Sequence, residues 1–293
     1  MKLGYSEFSF GYAFTENLIR RSAQAPTSAP QFPNLIEEGQ LGYDVRIELP
    51  ALPLFFQFKL PEWMVRRSAK EVALTRGALR PQFFRMPLMR RDLSDQHQLL
   101  LDLESRHPGS VFYASPRLRN SREFNAAYNS AEVHRRSALI SPSAIGALPD
   151  DKPHVVSYRP RDTQGWFCSD PQEIPLNDFD AVAKKLIAKL HMKETPRLVD
   201  LAPHLAPELK AVRRRALEGE ELGAVELEVE GTPQPIIEID EGAIRERFRL
   251  RRQATVEIAP GEEEARVSEE LYVAREIARI GLGVQLVIAQ PKD

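Results

Sequence analysis

Leu54-Phe55-Phe56-Gln57-Phe58-Lys59-Leu60 constrains the fold more than any other stretch of the chain. Five of its seven residues are large and apolar, and the two polar ones stand two positions apart. Pro50 and Pro53 bracket a turn just before it, so the run reads as a buried strand. Strand alternation then places Gln57 and Lys59 on one face. A lysine facing inward from an aromatic strand is costly unless a carboxylate or a ligand anion compensates it. Asp44, on a half-buried strand expected over residues 43–49, is the natural partner. Glu16, on an upstream helix expected over residues 10–21, completes the cluster if that helix packs across the sheet.

Helical and extended patterns alternate on both sides of this strand. A short strand is expected over residues 32–38, after a loop rich in proline and serine. Beyond residue 60 the patterns predict helices over 93–104 and 122–134, a buried strand over 110–115, and strands over 154–158 and 166–168. The expected fold class is α/β, a central mixed β-sheet flanked by helices. Residues 1–174 form this α/β core and residues 175–293 a C-terminal α+β region serving specificity or assembly. In the latter, helices are expected over 179–190, 207–218 and 268–280, with strands over 236–239, 255–258 and 284–289.

Composition narrows the class. The chain has 293 residues, 42% hydrophobic and 28% charged, enough for a substantial core. No run approaches about 18 consecutive apolar residues, which argues against a membrane span. The opening MKLGYSE lacks the apolar core of a signal peptide, and Cys168 is the sole cysteine, so a reducing cytoplasm is the expected compartment. The six histidines are scattered without metal-ligand spacing. No Walker loop, dinucleotide fingerprint or Gly-x-Ser-x-Gly elbow is present. Residues 1–174 carry 22 basic against 19 acidic side chains, whereas residues 175–293 carry 18 against 23. From Trp63 to Asp92 there are eight basic residues and two acidic ones. That segment reads either as a solvated face or as a source of phosphate contacts, with Arg66, Arg67, Arg85, Arg90 and Arg91 as candidates.

Asp44 followed by Gln57-Phe58-Lys59 resembles the restriction-endonuclease-like nucleases, the PD-(D/E)XK superfamily, in its glutamine variant of the Mrr type. The likeness covers about residues 10–170. Asp44 matches the hairpin aspartate, Gln57 the second acidic position and Lys59 the lysine; Tyr43 stands where the pattern has proline. Glu16 matches the helix glutamate, with Glu37 and Glu38 as rivals. The helix bearing Gln96 and Gln98 falls where the superfamily has a helix that often carries a glutamine.

The resemblance implies a restriction-endonuclease-like core and metal-dependent phosphodiester hydrolysis, most naturally of DNA, in bacterial restriction or defence against foreign DNA. It implies Mg²⁺ or Mn²⁺ held by Asp44, by Glu16 directly or through water, and by the neutral Gln57 oxygen, with the Phe58 carbonyl as an additional donor. Lys59 then orients water or stabilises transition-state charge. A second class stays open: a non-catalytic nuclease-like module that binds nucleic acid or a partner protein. A third is an assembly protein with no nucleic-acid role. A partner protein or a homo-oligomer is compatible with each.

Overall fold

The computed structural model describes residues 1–21, 49–221, 239–255 and 261–291. In chain order they form α1 (Glu7–Arg21), β1 (Leu52–Phe58), β2 (Glu62–Met64), α2 (Lys70–Leu74), β3 (Phe83–Pro87), α3 (Gln96–Arg106), β4 (Val111–Pro116), α4 (Ser121–Asn129) and β5 (Ser137–Ile140). Next come α5 (Pro142–Ile145), β6 (Val155–Tyr158), β7 (Gln164–Phe167), β8 (Gln172–Pro175), α6 (Phe179–Leu190), α7 (Leu198–Glu221), α8 (Glu241–Thr255), α9 (Glu262–Leu282) and β9 (Gln285–Ala289). The strands expected over 32–38, 43–49 and 236–239 lie essentially outside the described residues. The one expected over 255–258 starts on the last residue of α8 and otherwise lies outside them too.

The class is mixed α/β, as expected, but the described strands build two sheets where a single central one was anticipated. One is a four-stranded mixed sheet of order β5-β4-β1-β9. In it β1 and β4 run parallel with Phe58 opposite Ala114, while β5 and β9 are antiparallel edges. The other is a five-stranded antiparallel sheet of order β2-β3-β6-β7-β8. Its strands of three to five residues are too short for alternation to stand out in sequence. Tyr158 of β6 joins the two sheets by donating to Ser115 Oγ at the end of β4, 2.7 Å away.

β1 is buried on both faces, which explains its near-continuous apolar sequence. Leu54 and Phe56 pack with Phe10 and Phe14 of α1, with α4 and with α6. Phe55 points the other way, into a larger core with α3, α7 and α9. α1 sits very close to the sheet: a Cβ on Gly11 would lie 2.8 Å from Phe58 Cδ2. β9 pairs with β1, so the C-terminal stretch closes back onto the first sheet.

Several helix boundaries differ from the sequence reading, and two have a clear physical cause. α4 ends at Asn129 rather than 134, because Ala131 turns into the left-handed region at φ 55° and the Glu132 N–H closes on the Ala127 carbonyl. α7 begins at Leu198 rather than 207 and runs through Pro203 and Pro207. Burial of Leu198, Ala202, Leu205, Ala206, Leu209 and Val212 outweighs the hydrogen bonds lost at the prolines.

Candidate functional site

The alternation of β1 settles which side chains meet. Phe56 and Phe58 face α1, so Gln57 and Lys59 face the opposite layer, toward α3 and α9. Both are buried, at 7% and 8% exposure. The Lys59 N–H donates to the Ala114 carbonyl at 3.0 Å, which extends the β1–β4 ladder and fixes its backbone.

Lys59 Nζ donates to Gln96 Oε1 at 2.8 Å. Gln96 stands in the first turn of α3, a helix held by Leu100 and Leu103 in the core and by His97. His97 Nε2 donates to the Gly146 carbonyl at 2.7 Å, so its Nδ1 accepts from the Tyr113 hydroxyl at 2.8 Å. Burial lowers the pKa of Lys59, and the negative charge of Glu7 opposes that shift. Glu7 lies in the first turn of α1 and accepts the Leu60 N–H at 2.9 Å.

Gln57 Nε2 donates to the neighbouring Phe58 carbonyl at 3.2 Å. Its Oε1 is buried and has no hydrogen-bond partner among the described residues. The α9–β9 turn closes over it: Gly283, at φ 66°, would place a Cβ 3.1 Å from Gln96 Nε2 and 3.5 Å from Gln57 Oε1. Gln57, Lys59, Gln96 and Gly283 therefore form one compact polar site at the C-terminal end of β1. Gln98, on the same helix, points outward to Asp102 at 3.0 Å.

Glu16 is not part of this site. Its carboxylate is taken by Arg20 and by Asn17 Nδ2 at 2.6 Å, and Asn17 in turn bonds the Tyr128 carbonyl after α4 has begun its last turn. That places Glu16 on the α1–α4 side, across the sheet from Lys59. The carboxylate that α1 brings to Lys59 is Glu7, one the periodicity of residues 10–21 left out because the helix starts earlier. Asp44, Glu37 and Glu38 lie outside the described residues.

A divalent cation fits this site in part. The orphaned Gln57 oxygen suits a hard cation as a neutral donor. Among the described residues, however, no group of three His, Cys, Asp or Glu side chains stands ready to hold a metal. The donor set is incomplete without a residue such as Asp44.

The basic segment separates into different roles. Arg85 is bound by Glu62 and by the fully buried Glu71, 3.2 Å away. Arg90 bonds Asp92, with 2.9 Å from its Nε, and Arg91 bonds Asp151 at 2.7 Å. Each of these three already holds a carboxylate partner, Arg90 and Arg91 at the exposed surface. Arg66 and Arg67 remain exposed. The larger concentration of cationic side chains lies elsewhere, in a cleft built from arginines far apart in sequence. Cys168 is buried and its thiol is pushed up to about 11 by burial, which makes it inert. No helix among the described residues is long and apolar enough to cross a membrane.

No family model, curated protein or solved structure matches this chain.

Proposed function

We propose that this chain is a metal-dependent nuclease of restriction-endonuclease-like build, cleaving phosphodiester bonds in DNA, with a role in bacterial defence against foreign DNA. The observation that supports the reading is the meeting of Gln57, Lys59 and Gln96 at the end of a buried strand in a helix-flanked mixed sheet. Gln57 and Lys59 stand two residues apart on the strand, and Gln96 comes from the following helix, where the resembled pattern often has a glutamine. In the reaction, the Lys59 ammonium is the group that orients water or meets charge developing on the phosphoryl oxygens. Gln96 fixes the direction of that amine, and Glu7 favours its protonated form. Mg²⁺ or Mn²⁺, bound with Asp44 and the Gln57 oxygen, would supply polarisation of the phosphate.

The test is incubation of the purified chain with plasmid, linear and single-stranded DNA and with RNA, under Mg²⁺, Mn²⁺ or EDTA. Metal-dependent cleavage lost in both Asp44→Ala and Lys59→Ala is the expected result. Full activity in either folded variant defeats the assignment.

One observation favours a second reading. Glu16 is committed to Arg20 and Asn17, and among the described residues no group of three metal-ligating side chains is present. A nuclease-like module that binds nucleic acid without cleaving it would show salt-dependent binding and no turnover with either metal.

A further inference from the structure

Where the two sheets meet, a cleft of about 510 Å³ opens past the C-terminal ends of the parallel strands β1 and β4. Six arginines line it: Arg117 and Arg119 follow β4, Arg135 and Arg136 precede β5, and Arg159 and Arg161 sit in the turn between β6 and β7. Glu123 and Asp162 are the two acidic side chains in its wall, so the cleft carries an excess of four positive charges. No lysine lines it.

Asp180, from outside the cleft, neutralises one charge of this surplus, and the rest is left without a carboxylate partner among the described residues. Arg119 bonds Glu123 with its guanidinium 5.9 Å from the Trp63 ring centre, and Arg135 bonds Asp180 at 3.2 Å. Arg117, Arg136, Arg159 and Arg161 have no carboxylate within salt-bridge distance among the described residues. Arg117 is the most constrained. Its Nη1 donates to the carbonyls of Asp162 at 3.1 Å and Pro160 at 3.4 Å, while its Nε is buried without a partner. Gathering like charges from three loops costs folding free energy that an anion in the cleft would offset.

The geometry points to this cleft as the seat of a nucleic-acid strand, gripped through its phosphates. An all-guanidinium lining favours phosphate over a single point anion, because each planar fork can hold two oxygens of one group. A volume of this size suits more than one phosphate. The location fits as well: Lys59 bonds Ala114, three residues before Arg117, and Trp63 follows Lys59 by four. A strand held here runs along the same end of the sheet as the Lys59 site. The choice of a nucleic-acid ligand rests on the function proposed above; the anion site itself rests on the arginines.

Fluorescence anisotropy with labelled single-stranded and duplex oligonucleotides, in EDTA and across a series of salt concentrations, tests this on the full chain. Arg159→Glu/Arg161→Glu should weaken binding about tenfold or more and lower the slope of log K against log salt by about 2. Arg159→Gln/Arg161→Gln provides a milder pair should charge reversal disturb folding, checked by circular dichroism. Arg66→Glu/Arg67→Glu, outside the cleft, should fall well short of that loss. Equal binding by wild type and the cleft variants, or an equal loss in the Arg66/Arg67 control, overturns the proposal. So does tight binding of a mononucleotide or inorganic triphosphate that oligonucleotides do not displace. Because EDTA removes turnover, binding without any later cleavage would defeat the nuclease and leave the cleft standing. Cleavage with unchanged binding in the cleft variants would do the reverse.

Discussion

Lys59 Nζ reaches Gln96 Oε1 over 2.8 Å, and this bond ties the end of the central strand to the first turn of a helix 37 residues further on. A buried ammonium keeps three donors, and removal of a partner leaves one of them unsatisfied. Gln96→Leu should therefore cost about 1–3 kcal/mol of stability. In a Lys59→Met background the same change should be nearly neutral, because nothing is left unpaired. Urea denaturation of the four proteins measures the coupling; an equal cost in both backgrounds would show that Gln96 packs without serving Lys59.

The same lysine makes stability depend on pH. Burial holds its folded pKa below the ordinary 10.5, so between those two values the unfolded chain binds a proton that the folded chain lacks. Stability of the wild type relative to Lys59→Met should thus rise as pH climbs through that window. Denaturation series for both proteins on the alkaline side of neutrality read the difference, and a falling difference would contradict the burial argument.

Gly283 closes the site from behind. An alanine there would bear a left-handed backbone, at a cost of about 1–2 kcal/mol, and would press on Gln96 Nε2 from 3.1 Å. Gly283→Ala should therefore destabilise the protein and disturb the Lys59–Gln96 bond together. Repeating the change in a Gln96→Ala background should recover the crowding part and leave the backbone part. Thermal melts of the single and double variants separate the two, and full additivity would mean that Gln96 had room to give.

The centre of this fold was readable because β1 is short, apolar and interrupted at two same-face positions. Gln57 and Lys59 announced their common side through period two alone. α6 was legible to its ends for a related reason: Val182, Leu186 and Leu190 repeat at helical spacing and Asp178 caps the Ala181 N–H. Other parts were hidden for physical reasons. α8 buries Ile244 and Phe248 amid charged neighbours and offers too narrow an apolar stripe to register. The arginine cleft was hidden because its three pairs, Arg117/Arg119, Arg135/Arg136 and Arg159/Arg161, lie far apart in sequence and come together only after two sheets have joined.

Arg85 came from charge counting along the chain, and the structure pairs it with Glu62 and Glu71. Glu71 is wholly buried, and one of its oxygens depends on Arg85 while the other has no partner among the described residues. Arg85→Ala strands a carboxylate in the core, which should cost about 2–4 kcal/mol after allowance for the partly exposed arginine. Nucleic-acid affinity should stay within about twofold of wild type, since Arg85 already serves Glu62 and Glu71. A large affinity loss with stability intact would return Arg85 to the binding surface.

Glu7 and Glu16 share one helix but have different partners, the Leu60 N–H for Glu7 and Arg20 with Asn17 for Glu16, and the Lys59 titration distinguishes them. Glu7 favours the protonated amine. Glu7→Gln should move the Lys59 pKa further down, followed by the Nζ resonance in lysine-labelled protein. Glu16→Gln should leave it in place, because that carboxylate is spent on Arg20 and Asn17. If hydrolysis needs the ammonium form, the alkaline limb of its pH profile should shift toward lower pH in Glu7→Gln and remain fixed in Glu16→Gln. A titration that responds to Glu16 and ignores Glu7 would put the helix glutamate back beside the lysine.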